Sequence, residues 1–203
     1  MEMRKTTALL WPTKVAFYEM LDAEARMAEI AKAAEQTPTA HLKSASERRV
    51  RGIMDQFPEL LGHIRDCVSD YLEGWGHLLD SDYCENRALL IGDRAHINTH
   101  ADNREGDVTA VLFLTGQGAG QPINSVGNPR FVLEDPSRFA DQARLPFEAR
   151  PGFSVNPRPG LLVVFPSHIP HNQHPYEGDT THVQVVLNFR LNIPEDLQEE
   201  LFD

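Results

Sequence analysis

Cysteine is scarce in this chain: Cys67 and Cys84 are the only two in 203 residues. That excludes a small scaffold stapled by disulfides and predicts a reduced, cytoplasmic setting. Long apolar runs are missing too. The opening stretch, with Arg4 and Lys5 ahead of Ala8-Leu9-Leu10-Trp11, is broken at Pro12. It is too short for a membrane span or a signal-peptide core, so no membrane association is expected. Positive charge is in deficit, with 19 Lys and Arg against 30 Asp and Glu and a net charge of −11. Such a surface repels a phosphate backbone, which argues against nucleic acid as a partner. The glycine-rich run 116–120 lacks the lysine and the strand-to-helix context of a phosphate loop and reads as a flexible turn.

What the chain does have is ordinary globular composition, 41% hydrophobic and 24% charged, at a length that suits one domain. Residues 1–86 read as mainly helical. A helix is predicted over residues 13–36, where Phe17, Met20, Leu21, Met27 and Ile30 recur at near-helical steps. The basic cluster Arg48, Arg49 and Arg51 reads as a solvated helix or turn. A second helix is predicted from Phe57 towards Leu79, patterned by Leu60, Leu61, Ile64, Val68, Tyr71 and Leu72, with Cys67 as a buried, inert thiol on its apolar face.

Residues 87–193 change character. Strand-like runs at 88–102, 108–115, 131–133, 161–165 and 182–191 alternate with turns rich in Gly, Pro, Asn and Asp, and residues 194–203 form a tail. Short strands with frequent turns predict a sandwich or barrel, and the helices outside it make the fold class α+β.

The chemistry concentrates in Ile97-Asn98-Thr99-His100-Ala101-Asp102. If this segment is one long strand, alternation places Arg94, His96, Asn98, His100 and Asp102 on one face, so His100 and Asp102 can grip one object between them. One more imidazole would complete two His and one carboxylate, a facial set that suits non-haem Fe(II). The segment Phe165-Pro166-Ser167-His168-Ile169-Pro170-His171, with His174 beyond it, offers three candidates. The bland alternative is the wet face of an antiparallel strand.

His100-Ala101-Asp102, followed by Phe165-Pro166-Ser167 and by His171 69 positions after Asp102, resembles the Fe(II)/2-oxoglutarate-dependent oxygenase superfamily, in particular its prolyl-hydroxylase-like or uncharacterised branch. The resemblance spans residues 88–191. It implies a double-stranded β-helix, a jelly-roll or cupin-like barrel with N-terminal packing helices, and His171 as the distal metal ligand. It further implies Fe(II), 2-oxoglutarate and O₂ as cofactor and cosubstrates, and, because Asp102 fills a position a halide would need, hydroxylation or desaturation over halogenation.

One departure is visible. In that family a basic residue follows the distal His by about ten positions and binds the far carboxylate of 2-oxoglutarate; here His182 stands eleven positions after His171. Imidazole offers one hydrogen bond or a titratable charge where Arg offers a permanent fork. Gln184 and Arg190 share a face with His182 by parity, and Arg94, Asn98 or Arg130 are further candidates to orient ligands or hold the cosubstrate. Two alternatives stay open: a cupin-type metal enzyme that does not use 2-oxoglutarate, and a non-catalytic β-barrel that binds a small molecule. The expected substrate is a small polar metabolite or amino-acid derivative, and the oligomer to test is a homodimer.

Overall fold

The computed structural model describes residues 3–10, 13–38, 41–44, 47–92, 95–116, 130–136, 152–174 and 181–194. Arg94, most of the glycine-rich run and the tail from 195 lie outside the described residues. The strands are β1 (Met3–Leu10), β2 (Thr13–Met20), β3 (His41–Ser44), β4 (Glu47–Arg51), β5 (Glu85–Ile91), β6 (Ile97–His100), β7 (Val108–Phe113), β8 (Phe131–Glu134), β9 (Gly152–Val155), β10 (Leu161–Pro166), β11 (His171–Gln173) and β12 (His182–Phe189). Two helices, α1 (Glu24–Gln36) and α2 (Pro58–Tyr71), complete the regular structure of the described residues with short 3₁₀ turns at Ile53–Gln56 and Glu73–Leu78.

The major sheet runs β1-β2-β10-β7-β12-β5-β4-β3 and the minor sheet β6-β11-β8-β9, with every pairing antiparallel. The inner faces of the two sheets share one apolar core, including Leu89, Ile91, Phe113, Phe131, Leu133, Val163 and Phe165. On the outer face of the major sheet, Ala88, Leu90, Leu112, Leu162, Val185 and Leu187 pack against Met27 and Ile30 of α1 and Ile64 and Val68 of α2. This is the double-stranded β-helix: of the eight strands β5 to β12, β5, β7, β10 and β12 lie in the major sheet and β6, β8, β9 and β11 in the minor one, and the chain before them widens the major sheet and supplies its helical cover.

Strand parity follows from this division. Val183, Val185, Leu187 and Phe189 of β12 face the helices, whereas Val186 faces the barrel, and His182, Gln184 and Asn188 share its parity. On β5, Arg87 shares the inward parity of Leu89 and Ile91.

Residues 1–86 are not mainly helical. Thr13–Met20, expected as the start of a helix, is a strand that pairs with β1 on one side and with Leu161–Val164 of β10 on the other. Half of it, Thr13, Val15, Phe17 and Tyr18, is β-favouring, a pairing partner about 145 positions away completes the strand, and the helix begins only at Glu24. The basic cluster is strand β4, paired with β5, with Val50 in the core. The second helix starts where the periodicity places it, with Pro58 at a position whose missing N–H costs nothing, but it ends at Tyr71, and the stretch towards Leu79 is a separate 3₁₀ turn, Glu73–Leu78. Burial raises the Cys67 thiol to about 12, in keeping with an inert cysteine. No helix among the described residues is long and apolar enough to cross a membrane.

Candidate metal centre

Strands β6 and β11 pair so that His171 lies directly across from His100, with ring centroids 4.4 Å apart. Between them β6 carries one more residue than β11: His171 pairs with His100, but Gln173 pairs with Ile97. Such a bulge resets the alternation. Ile97 and His100 therefore both turn inward, while His96 and Asn98 are exposed. The single long strand expected over residues 88–102 is two strands, parted by a turn in which the Ala95 amide donates to Gly92 O. Neither His96 nor Asn98 reaches the barrel interior as a side chain, because strict parity does not survive the bulge.

Asp102 lies beyond the end of β6, in the turn that follows it. Its amide donates to Ser167 O at 2.9 Å, and its carbonyl accepts from Glu105 and Gly106. The first of these ties the turn to the exit of β10 and swings the carboxylate back under the two imidazoles. Asp102 Oδ1 is 3.7 Å from His100 Nε2 and Oδ2 is 3.8 Å from His171 Nε2. All three donor atoms fall within 4.8 Å of one another. Two donors that each sit about 2.1 Å from a shared ion are about 3 to 4 Å apart.

The two imidazoles are prepared alike. His100 Nδ1 donates to Asn98 O at 2.9 Å and His171 Nδ1 donates to Ile169 O at 3.0 Å, each to the carbonyl two residues back. A proton held on Nδ1 leaves the Nε2 lone pair free, and in both rings Nε2 faces the carboxylate. His171 is buried, and desolvation, followed by the nearby His100, lowers its pKa to about 3. It is neutral at ordinary pH. Asp102 Oδ2 is buried and accepts no hydrogen bond from any of the described residues. A buried carboxylate oxygen left bare is costly unless a cation meets it, so the donor set fits a divalent metal such as Fe(II). His168 and His174, the other candidates for the third ligand, are exposed.

Behind Asp102 stands a residue the sequence reading passed over. Arg87, buried on β5, donates from Nη2 to Asp102 Oδ1 at 3.2 Å and from Nη1 to Glu105 Oε2. The available signal was its setting, a lone cation inside the strand Glu85-Asn86-Arg87-Ala88-Leu89-Leu90-Ile91 on the face of Leu89 and Ile91. A charge in a run that will be buried on both faces needs a specific partner.

The expected cosubstrate anchors are scattered. His182 is buried at the start of β12, inward, sharing a hydrogen bond of 3.0 Å with Thr115 Oγ1. Burial lowers its pKa to about 4, so it is neutral and offers no charge at pH 7. Phe113 and Phe131 lie between it and His171, with successive ring centroids 6.2, 5.8 and 5.4 Å apart. Gln184 is buried on the same face. Arg190, expected on that face too, lies past the end of β12, exposed, with its guanidinium 4.1 Å from the Tyr83 ring centroid. The strand ends at Phe189, so parity stops one residue short of it. Arg130 is half-buried at the entry to β8.

No family model and no curated protein matches the sequence. Solved structures do match the fold. EvdO2 from Micromonospora carbonacea var. aurantiaca, complexed with 2-oxoglutarate, aligns at a TM-score of 0.59 and 16% identity over 86% of this chain and 85% of its own. A Pseudomonas putida prolyl-4-hydroxylase aligns at 0.55 and 21% over 93% and 92%. HygX from Streptomyces hygroscopicus, with nickel and 2-oxoglutarate bound, aligns at 0.59 and 11% over 87% and 82%. With sheet order, the division of β5 to β12 four and four between the sheets, and alignment over most of each chain in agreement, this protein has the double-stranded β-helix fold of the Fe(II)/2-oxoglutarate oxygenases.

Proposed function

We propose that this protein is a non-haem Fe(II) oxygenase that uses 2-oxoglutarate and O₂ to hydroxylate or desaturate a small polar metabolite or amino-acid derivative. The observation that carries the proposal is the donor set itself: His100 Nε2, His171 Nε2 and a bare Asp102 Oδ2, converging between the sheets with both Nδ1 protons tied to backbone. These three residues hold the metal. When bound, Fe(II) supplies O₂ activation coupled to decarboxylation of the 2-oxo acid. The chain's own contribution is to fix one face of the ion, leave the other open and keep the surroundings dry: Phe131 and Phe165 stand 5.4 and 5.2 Å from the His171 ring. Gln173 shares the His171 face of β11, and its amide nitrogen and oxygen are buried with no hydrogen-bond partner among the described residues, which supports a polar rather than a hydrocarbon ligand.

Anaerobic addition of Fe(II) and then 2-oxoglutarate tests the reading. The expected result is one iron per chain and a visible charge-transfer band on adding the 2-oxo acid, with iron lost in His100→Ala and Asp102→Ala. Full iron stoichiometry in either variant would sink the ligand assignment. A second reading is favoured by the neutral His182: a cupin-type metal enzyme that does not take 2-oxoglutarate. Iron bound at full stoichiometry with no band at millimolar 2-oxoglutarate selects it.

A further inference from the structure

The two oxygens of Asp102 have different surroundings. Each lies under 4 Å from an imidazole Nε2, Oδ1 from His100 and Oδ2 from His171, so by distance alone either or both can ligate a shared ion. Among the described residues only Arg87 tells them apart. Its Nη2 donates to Oδ1, and none of those residues donates to Oδ2.

The guanidinium is itself braced. Nη1 donates to Glu105 Oε2, which also accepts from Asn188 Nδ2 at 3.1 Å. Asn188 Oδ1 accepts from Thr109 Oγ1, and Thr109 Oγ1 in turn shares a hydrogen bond of 2.8 Å with Ser167 Oγ. The Ser167 carbonyl receives the Asp102 amide, closing the circuit behind the carboxylate. Arg87, Asn188, Thr109 and Ser167 are all buried. A buried Arg is tolerated when its charge is paired and its planar fork is engaged, and here both Nη groups are.

From this circuit we infer that Arg87 is a positioning residue that makes Asp102 a one-oxygen ligand. By occupying Oδ1 with a charge-assisted hydrogen bond it leaves Oδ2 alone to bind the metal and prevents the carboxylate from chelating through both oxygens. The inference rests on the proposed metal site. The consequence is a count. A six-coordinate ion held by three protein atoms keeps three positions for cosubstrate and O₂, and a chelating carboxylate would reduce them to two.

The test uses the full chain loaded with Mn(II) in the absence of any 2-oxo acid, with inner-sphere water counted from the relaxation of solvent oxygen-17. Wild type is expected to hold about three waters, while Arg87→Met and Arg87→Gln, which remove the charge, hold about two, and Arg87→Lys returns to about three. Melting of each apoprotein shows that it is folded, and a merely structural role would move that melting without moving the count. Two waters in wild type, or three in whichever charge-removing variant folds, overturns the role assigned to Arg87 while leaving the metal site standing. Failure of wild type to bind Mn(II) overturns the metal site, and this inference with it.

Discussion

Replacement of His182 with Gln isolates one buried titration. In the folded chain burial holds this imidazole at about 4, against about 6.5 when unfolded. The folded value is the depressed one, so as pH falls the unfolded chain takes up the proton first. The stability that His182 contributes is therefore fully present above about pH 6.5 and is lost as pH falls from there towards 4. Between pH 8 and pH 5 the loss comes to about 2 kcal/mol, with a slope of at most about 1.4 kcal/mol per pH unit. For a chain of 203 residues that is about 4–8 °C in Tm. Gln retains a polar group within reach of Thr115 but has no proton to gain. Thermal melts of both proteins in chelator at pH 8, 6.5 and 5 measure it: wild type should lose about 4–8 °C more than His182→Gln over that range. A packing defect in the variant shifts its Tm equally at every pH and cancels from the comparison. Equal losses in the two proteins would refute the buried, neutral imidazole and reopen His182 as a standing charge.

If 2-oxoglutarate binds beside His182, its carboxylate raises the imidazole's pKa from about 4, so a proton is taken up on binding. Its Kd should then rise between pH 6 and pH 8 in wild type and stay flat in His182→Gln, as calorimetry in buffers of different ionisation enthalpy would show. Metal at a hundredfold above its Kd should stabilise wild type by about 2.7 kcal/mol and leave Asp102→Ala unmoved in thermal melts. Gly106→Ala should lower Tm and weaken metal binding together, because a Cβ there would lie 2.6 Å from the carbonyl oxygen of Phe189 and displace the turn that carries Asp102. Ile64→Ala, emptying a fully buried site where α2 meets the major sheet, should cost about 2–5 kcal/mol in denaturant unfolding with metal stoichiometry unchanged.

Much of the site is legible without coordinates. His100, Asp102 and His171 are rare side chains at short or motif-bound spacings, and the runs at 108–115, 161–165 and 182–191 hold the strands they suggest, the first and last ending two residues early and the middle one running a residue longer. The second helix is equally plain, since its apolar positions recur at helical period and its start carries Pro58. Other features are not local. Residues 13–20 carry helix-favouring Ala, Glu, Met and Lys, yet they pair between β1 and β10, and no window of neighbours reveals a partner at 161–164. Strict alternation breaks where β6 bulges, which leaves His96 and Asn98 away from the site, and ends with β12 before Arg190.

The sequence by itself determined the chemistry this protein has to offer, two imidazoles and a carboxylate flanking a β-rich core with no disulfides and a surplus of negative charge. Only the tertiary structure decided how those groups are presented. The bulge in β6 turns His100 to face His171, the turn after it returns Asp102 beneath both, and Arg87, from a strand in the opposite sheet, distinguishes the two oxygens of that carboxylate. The physical reason is that residue type fixes which atoms can donate a lone pair, whereas their direction and state of charge depend on backbone register and on neighbours brought close by pairing across the barrel.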